Sequence, residues 1–365
     1  MKLVAIVGTR PNFVKLAAVS RRCKEDGVDF KIIHTGQHFD QVMSEGFFRD
    51  LEIPKPDVNL GISGGRFEDQ MGRQISEISK ALEQMSDRWV LVMGDSVPVA
   101  AGTIAAKARQ MPVIHLEAGL RSRNRLMPEE TNRIIADALA DVWLVSERSG
   151  MENLKNDGIN ERVCLVGNMM IDTLMANLDK IKKESGLGEK YALCTLHRAE
   201  NVDDSKKLSG LMEMVNKIAN KYMRVVFAIH PRTKLRIEQG EIKIDKRVEV
   251  LDPLPYLQMQ KAQSEATFIV TDSGGVQEES TWWGVPCLTL REDTERPITI
   301  EEGTNTLIGG NYQLLEEKVD EILAGSYKKG KVPKFWDGKA AKRVIENLME
   351  IESKYSFEKN GLVRI

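Results

Sequence analysis

The run Leu3-Val4-Ala5-Ile6-Val7-Gly8-Thr9-Arg10-Pro11-Asn12-Phe13-Val14-Lys15 stands at the start of the chain. Its unbroken apolar opening, rich in β-branched residues, reads as a strand. Gly8 closes that strand, and residues 13–22 follow with helical spacing. A strand that turns through a glycine into a helix begins a βαβ unit. It predicts a parallel sheet with right-handed crossovers.

The same alternation extends outward along the chain. Strands are expected at 30–34, 89–93, 113–116, 142–145 and 163–166. Helices are expected up to residue 47 and over 67–85 and 99–106. In 67–85 an apolar stripe runs through Met71, Ile75, Ile78 and Leu82. The pattern then restarts, with strands at 193–196, 225–229, 248–251, 268–270 and 287–290. Helices near 208–219, 276–283 and 314–323 separate them. Two βα series of similar size predict an N-terminal Rossmann-like lobe over 1–167 and a C-terminal one over 168–338. Residues 339–365 hold a charged terminal helix, expected to pack across both lobes.

The composition suits such a protein. The chain has 365 residues, 42% hydrophobic and 29% charged, with 28 Gly and 12 Pro. Those values exclude collagen-like, low-complexity and disordered chains. Lys+Arg number 52 against 54 Asp+Glu, a formal net charge of −2. Such a balance leaves no electrostatic footprint for nucleic acid or an anionic membrane. The longest apolar runs are far short of the ~20 residues that cross a bilayer. No signal-peptide shape opens the chain, so a cytoplasmic protein is expected. Cys23, Cys164, Cys194 and Cys287 form no C-x-x-C pair. They read as small buried hydrophobes in a reducing compartment.

Open α/β sheets bind ligands beyond the carboxyl ends of their strands. Here those ends carry Gly8-Thr9-Arg10-Pro11, His34-Thr35-Gly36-Gln37-His38, Gly94-Asp95-Ser96 and His115-Leu116-Glu117-Ala118-Gly119 in the first series. In the second they carry His197-Arg198-Ala199-Glu200-Asn201, His230-Pro231-Arg232, Thr271-Asp272-Ser273-Gly274-Gly275 and residues 291–296. All five histidines fall in these segments, which predicts one ligand cleft between two lobes. Ser273-Gly274-Gly275 reads either as a phosphate-binding helix start or as a plain N-cap with a tight turn. Arg10 and Lys15 suit a diphosphate or its sugar, or are two solvated cations. Asp95, Glu117, Glu129 and Glu130, with His197, can supply general acids and bases. Singly, each also reads as a cap or an ion-pair partner, such as Glu130 with Arg133. Neither G-x-x-x-x-G-K-[ST] nor G-x-G-x-x-G occurs, and no H-E-x-x-H spacing marks a metal. No cofactor or metal is expected.

Taken in order, these strings are specific. Gly8-Thr9-Arg10-Pro11, Thr35-Gly36-Gln37-His38, Gly94-Asp95 and Glu117-Ala118-Gly119-Leu120-Arg121 are joined by Pro128-Glu129-Glu130 with Asn132-Arg133. Asp272-Ser273-Gly274-Gly275-Val276-Gln277-Glu278-Glu279 and Thr294-Glu295-Arg296-Pro297 complete the set. Over about residues 1–325 the chain closely resembles the non-hydrolysing UDP-N-acetylglucosamine 2-epimerases. The resemblance implies a glycosyltransferase B-type fold of two Rossmann-like lobes, UDP mainly on the second lobe, and a homodimer. It implies that Ser273, Gly274 and Gly275 hold the diphosphate, Glu279 the ribose, and the backbone at Leu254 the uracil. Arg10, Lys15, His230 and Arg296 would meet phosphate or sugar. Asp95, Glu117, Glu129 and His197 would surround the reacting sugar.

Departures from the family strings occur at Asn12, where Glu is usual, at Ser96, where Thr is common, and at Ala199, where a second Arg is usual. Met259 stands where Phe is often found near the uracil. His197-Arg198-Ala199-Glu200-Asn201, the loop Arg123-Asn124-Arg125-Leu126-Met127 and His230-Pro231-Arg232-Thr233 are similar to relatives acting on diacetamido uronic acid sugars. Gln41 lies in a region where bacterial members bind a second, activating substrate molecule. The implied chemistry is loss of UDP from C1 with the C2 proton, a 2-acetamidoglucal intermediate, and return of both. The alternatives are a related UDP-diacetamido uronate epimerase, a hydrolysing 2-epimerase, a glycosyltransferase on the same fold, and a non-catalytic sugar-nucleotide sensor.

Overall fold

The computed structural model describes residues 1–36, 41–358 and 361–365, with the side chains of 41–45 outside the description. Gln37 and His38 of the Thr35-Gly36-Gln37-His38 string, and the Gln41 side chain, therefore lie outside the described residues.

The chain divides into two compact units. Residues 1–176 with 334–365 form one, and 177–333 the other. The first holds β1 (Lys2–Val7), β2 (Asp29–His34), β3 (Val58–Asn59), β4 (Trp89–Met93), β5 (Val113–Leu116), β6 (Val142–Val145) and β7 (Val163–Leu165). They form one sheet in the order β3-β2-β1-β4-β5-β6-β7, and its strand pairs are all parallel. In β1, Val4 and Ile6 face a core with Val90 and Val92 of β4, Ile78 and Leu82 of helix Phe67–Leu82, and Val99, Ala101 and Ala105 of helix Val97–Ala108.

The second unit repeats the plan. It holds β8 (Ala192–Thr195), β9 (Val225–Ala228), β10 (Val248–Leu251), β11 (Phe268–Thr271), β12 (Cys287–Thr289) and β13 (Asn305–Leu307), in the parallel order β10-β9-β8-β11-β12-β13. Alternate residues of β8 serve two cores. Ala192 and Cys194 pack with Leu211, Met212 and Val215 of helix Ser205–Lys221. Leu193, facing the other way, packs with Ala262 of helix Tyr256–Glu265 and Val276 of helix Gly274–Trp283. Both units thus have the Rossmann arrangement expected from the sequence, with the strand order reversing between β1 and β4 and between β8 and β11.

The unit boundaries fall after Ala176 and after Pro333, rather than at 167 and 338 as the sequence suggested. Helix Met169–Ala176 stays with the first unit because Thr173 Oγ1 donates to the Val14 carbonyl at 2.6 Å. Asp172 accepts the first backbone N–H groups of helix Ala340–Lys354, Ala340 at 3.0 Å and Ala341 at 2.7 Å. The terminal helix therefore joins the first unit, against helices Arg10–Glu25 and Met169–Ala176. Beyond it β14 (Tyr355–Glu358) and β15 (Gly361–Arg364) pair antiparallel, a feature absent from the sequence reading. The cysteines are free, with Cys23, Cys194 and Cys287 buried and Cys164 half-buried. Among the described residues no helix is long and apolar enough to cross a membrane.

Candidate active site

In the first unit the functional side chains gather at the β1–β4 switch point. Arg10 is the first residue of helix Arg10–Glu25, directly after the β1 turn. Lys15, one turn on, is buried and its Nζ meets Glu117 Oε2 at 2.6 Å. Glu117 follows β5 with φ of +69°, a left-handed backbone that a non-glycine residue adopts only where its surroundings enforce it. Between them lies Gly94, with φ of +78°. A Cβ there would stand 2.8 Å from Lys15 Nζ, so only glycine lets the lysine reach the carboxylate.

Asp95, next in the turn, pairs through Oδ2 with Arg133 Nη2. The buried Arg133 also holds Glu130 Oε2 at 3.1 Å. The Asn132 amide donates to the Asp95 carbonyl at 2.9 Å. Glu130 is saturated: it accepts the Ser122 N–H at 2.9 Å, the Ser122 hydroxyl at 3.0 Å and the Arg123 N–H at 3.1 Å. Its duty is to hold that loop and Arg133. Half-buried Glu129 opens the same helix, Pro128–Leu139. Lys15 and Glu117 are thus brought together, while Asp95 joins Arg133, which the sequence reading treated only as an ion-pair partner.

The second unit has its own cluster at the β8–β11 switch point. Asp272 is fully buried and gathers three elements. Its Oδ1 meets His197 Nδ1 at 3.0 Å, and its Oδ2 accepts the Arg198 N–H at 2.9 Å and the Asn201 amide at 3.1 Å. Burial alone would raise this carboxyl. The neighbouring His197 and these hydrogen bonds outweigh burial and hold it down to about 2. His197 thereby commits Nδ1 to Asp272, which leaves Nε2 for a ligand. The His230 ring centre lies 5.9 Å from that of His197, and His230 Nδ1 accepts the Arg232 N–H at 3.2 Å.

Ser273 precedes helix Gly274–Trp283, and its hydroxyl makes no capping bond. Of the two readings of Ser273-Gly274-Gly275, the side-chain N-cap is therefore not the one adopted. A Cβ on Gly274 would meet Glu295 Oε1 at 3.0 Å, with Arg198 Nη2 and Arg296 Nε each 3.9 Å away. Two guanidiniums and the Glu295 carboxylate, which pairs with Arg198 at 3.5 Å, thus flank a helix start whose free N–H groups suit an anion. Arg296 also pairs with Glu278, Nε to Oε2 at 2.8 Å. Further along the helix Glu279 is buried and accepts the Gln263 amide at 2.6 Å. Burial raises its carboxyl to about 7; the Gln263 and Gln260 hydrogen bonds oppose the shift and the Glu278 charge adds to it. Leu254 and Met259 pack half-buried on the core formed by Leu193, Val226 and Ile269.

The sequence assigns no role of their own to Arg198 and Asp272, and to Arg133 only that of an ion-pair partner. The His197–Asp272 separation of 75 positions leaves no local signal. The one clue in the sequence is that both residues lie in the segments that follow strands expected to carry the ligand.

The profile of the UDP-N-acetylglucosamine 2-epimerase family matches residues 21–349. A UDP-N-acetylglucosamine 2-epimerase of Methanocaldococcus jannaschii is 38% identical over 95% of this chain and 99% of its own length. A UDP-2,3-diacetamido-2,3-dideoxy-D-glucuronate 2-epimerase of Pseudomonas aeruginosa is also 38% identical, over 96% of this chain and 100% of its own. The crystal structure of the Methanocaldococcus jannaschii enzyme in complex with UDP-GlcNAc and UDP has a TM-score of 0.91 at 37% identity, covering 96% of this chain and 100% of that one. That of the Neisseria meningitidis enzyme bound to UDP-GlcNAc has 0.87 at 29% identity, covering 96% and 100%. On sequence and fold together, the chain belongs to the UDP-N-acetylglucosamine 2-epimerase family.

Proposed function

We propose that the protein inverts C2 of UDP-N-acetylglucosamine to give UDP-N-acetylmannosamine, without hydrolysis. The observation that carries this reading is the Lys15–Glu117 pair beside the Gly94-Asp95 turn, at the point where the first sheet reverses its strand order. A lysine-paired carboxylate and an arginine-paired one there suit proton traffic at a sugar carbon.

The C2 hydrogen of a 2-acetamido sugar is not adjacent to a carbonyl, so simple enolisation does not occur. In the proposed route the C1–O bond breaks and UDP leaves with the electron pair. The C2 proton passes to a carboxylate of the first unit, and a C1–C2 double bond forms. A proton then returns to the opposite face of C2, and the UDP oxygen reattacks C1. Asp95, Glu117 and Glu129 serve the proton transfers. His197, oriented by Asp272, presents Nε2 to the substrate. Ser273, Gly274 and Gly275, with Arg296, stabilise the departing diphosphate, and Arg10 and His230 add contacts to phosphate or sugar. Glu279 takes the ribose, and the backbone at Leu254 takes the uracil. The reading includes a homodimer working in the cytoplasm and feeding polysaccharide biosynthesis.

Incubation with UDP-N-acetylglucosamine and separation of the products tests it. UDP-N-acetylmannosamine is expected. UDP with free N-acetylmannosamine marks a hydrolysing enzyme, and no turnover of either this sugar or a UDP-diacetamido uronate marks a sensor. The equal identity to the Pseudomonas aeruginosa relative supports a second reading, a UDP-diacetamido uronate substrate. Comparing kcat/KM for the two sugars decides between them.

A further inference from the structure

Behind the helix that carries Glu129 and Arg133 lies a cavity of about 460 Å³, wholly within the first unit. Helix Arg148–Asn156 forms another wall, and the loop bearing Arg121, Arg123 and Arg125 runs over it. Its carboxylates are already engaged. Asp137 accepts from Arg121 at 2.6 Å and from the Gly119 N–H at 3.1 Å, and meets His115 Nδ1 at 2.7 Å. Asp157 takes the other arm of Arg121 at 2.7 Å, and Glu130 is saturated by the loop and Arg133. Two guanidiniums are left over. Arg123 donates only weakly, to Asn153 Oδ1 at 3.3 Å, and among the described residues Arg125 meets no carboxylate.

We infer that this cavity is a binding site for a small phosphoryl dianion, separate from the diphosphate contacts of the second unit. Forked guanidinium donors match phosphate oxygens, Arg123 and Arg125 both line the cavity from its exposed side, and the volume takes a molecule on the scale of a sugar phosphate. The cavity walls also reach the reacting residues. Glu130 holds Arg133, which holds Asp95. Asp137 holds His115, whose Nε2 meets the Gly94 carbonyl at 2.8 Å. An anion that draws Arg121 or the loop toward itself loads both chains, so the bound dianion modulates turnover.

Inorganic phosphate is the probe, titrated calorimetrically into the intact protein with UDP held saturating so that the nucleotide site is filled. Saturable binding is expected in the wild type. It should weaken about tenfold or more in Arg125→Ala and in Arg123→Gly, and glycine suits the φ of +61° at that position. Circular dichroism confirms that both variants fold. Absence of saturable binding up to tens of millimolar, or equal binding in both variants, overturns the site. The effector role rests on the proposed activity. It predicts that phosphate changes kcat at saturating sugar nucleotide in the wild type and not in Arg125→Ala. Binding without that change overturns the effector role alone, and the calorimetric arm stands whatever the substrate proves to be.

Discussion

The Ser96 hydroxyl donates to Asn12 Oδ1 at 3.2 Å, so two of the positions at which this chain departs from the family strings are partners. Asn12 Oδ1 also accepts the Thr9 hydroxyl at 2.9 Å and the Thr9 N–H at 3.2 Å, and its amide donates to the Met93 carbonyl at 2.8 Å. One buried amide therefore ties the Arg10 turn to the Gly94-Asp95 turn. The departures are a matched pair that fixes the geometry of two loops.

That relationship is measurable as coupling. Asn12→Ala strands several buried donors and the Met93 carbonyl, and should cost about 1–3 kcal/mol in chemical denaturation. Ser96→Ala removes one partner and should cost less, about 0.5–1.5 kcal/mol. Because the two share a bond, the double variant should be less destabilised than the sum. Strict additivity would separate the two residues. In the epimerase assay Asn12→Ala should lower kcat and raise KM together, since it loosens both the Asp95 turn and the Arg10 turn, a proposed substrate contact.

The His197–Asp272 contact makes the second prediction. Asp272→Asn turns an acceptor into a group that can donate to Nδ1, so the ring presents the wrong tautomer. Turnover should fall by about 10²–10⁴ while UDP affinity stays within about tenfold. The same carboxyl, depressed from 3.8 to about 2 in the folded state, contributes stability above pH 3.8 that is lost as pH falls through about 2. Asp272→Asn should therefore be less stable than the wild type at neutral pH, with the gap closing in acid. A gap independent of pH would mean that the charge is not what Asp272 supplies.

How much of this was readable beforehand follows from what each feature depends on. The apolar strands with a following glycine were visible because burial on both faces writes an unbroken run, as in residues 3–7. Two-residue β3 and the polar-flanked β13, Asn305-Thr306-Leu307, leave no such run. The strand ends that carry Arg10, Asp95 and Glu117 in one unit, and His197 and Ser273 in the other, were legible because chain topology alone puts each set at the carboxyl edge of its own parallel sheet. Bonds across long separations, such as Lys15 to Glu117 or Asp172 to Ala340, were not. They depend on packing that no local string encodes, and the second of them moved the unit boundary.

Glu279 carries the third prediction, through a carboxyl raised from 4.5 to about 7 by burial. A raised carboxyl stabilises the fold below about pH 4.5, and that contribution is lost as pH rises through about 7. The ligand-free protein should lose stability across that window, and Glu279→Gln should lose less. Two ribose hydroxyls donate best to the ionised form. The preference for UDP over 2′-deoxy-UDP should therefore grow as pH rises through about 7 and flatten in Glu279→Gln. Comparing the two nucleotides cancels titration of the diphosphate itself. A preference independent of pH would remove Glu279 from the ribose.

The last prediction concerns the carboxylates of the first unit, which differ in how they are held. Glu117 is buried against Lys15 at 2.6 Å, whereas Asp95 is partly exposed and tied to Arg133. Each of Asp95→Asn, Glu117→Gln and Glu129→Gln should leave UDP affinity within about tenfold, because the proposed diphosphate contacts lie mainly in the second unit. Turnover should fall by about 10²–10⁴ wherever the residue moves a proton. Glu117→Gln carries an added stability cost, since it leaves the Lys15 ammonium buried without its counter-charge. Lys15→Met together with Glu117→Gln should recover stability but not turnover, which separates the structural role of the pair from its chemical one. In heavy water the active wild type should place deuterium at C2 of the product, because the proton is exchanged between elimination and return. Product without C2 deuterium excludes the elimination route. Deuterium with near-normal rates in all three single variants would keep the route and dismiss these carboxylates from it.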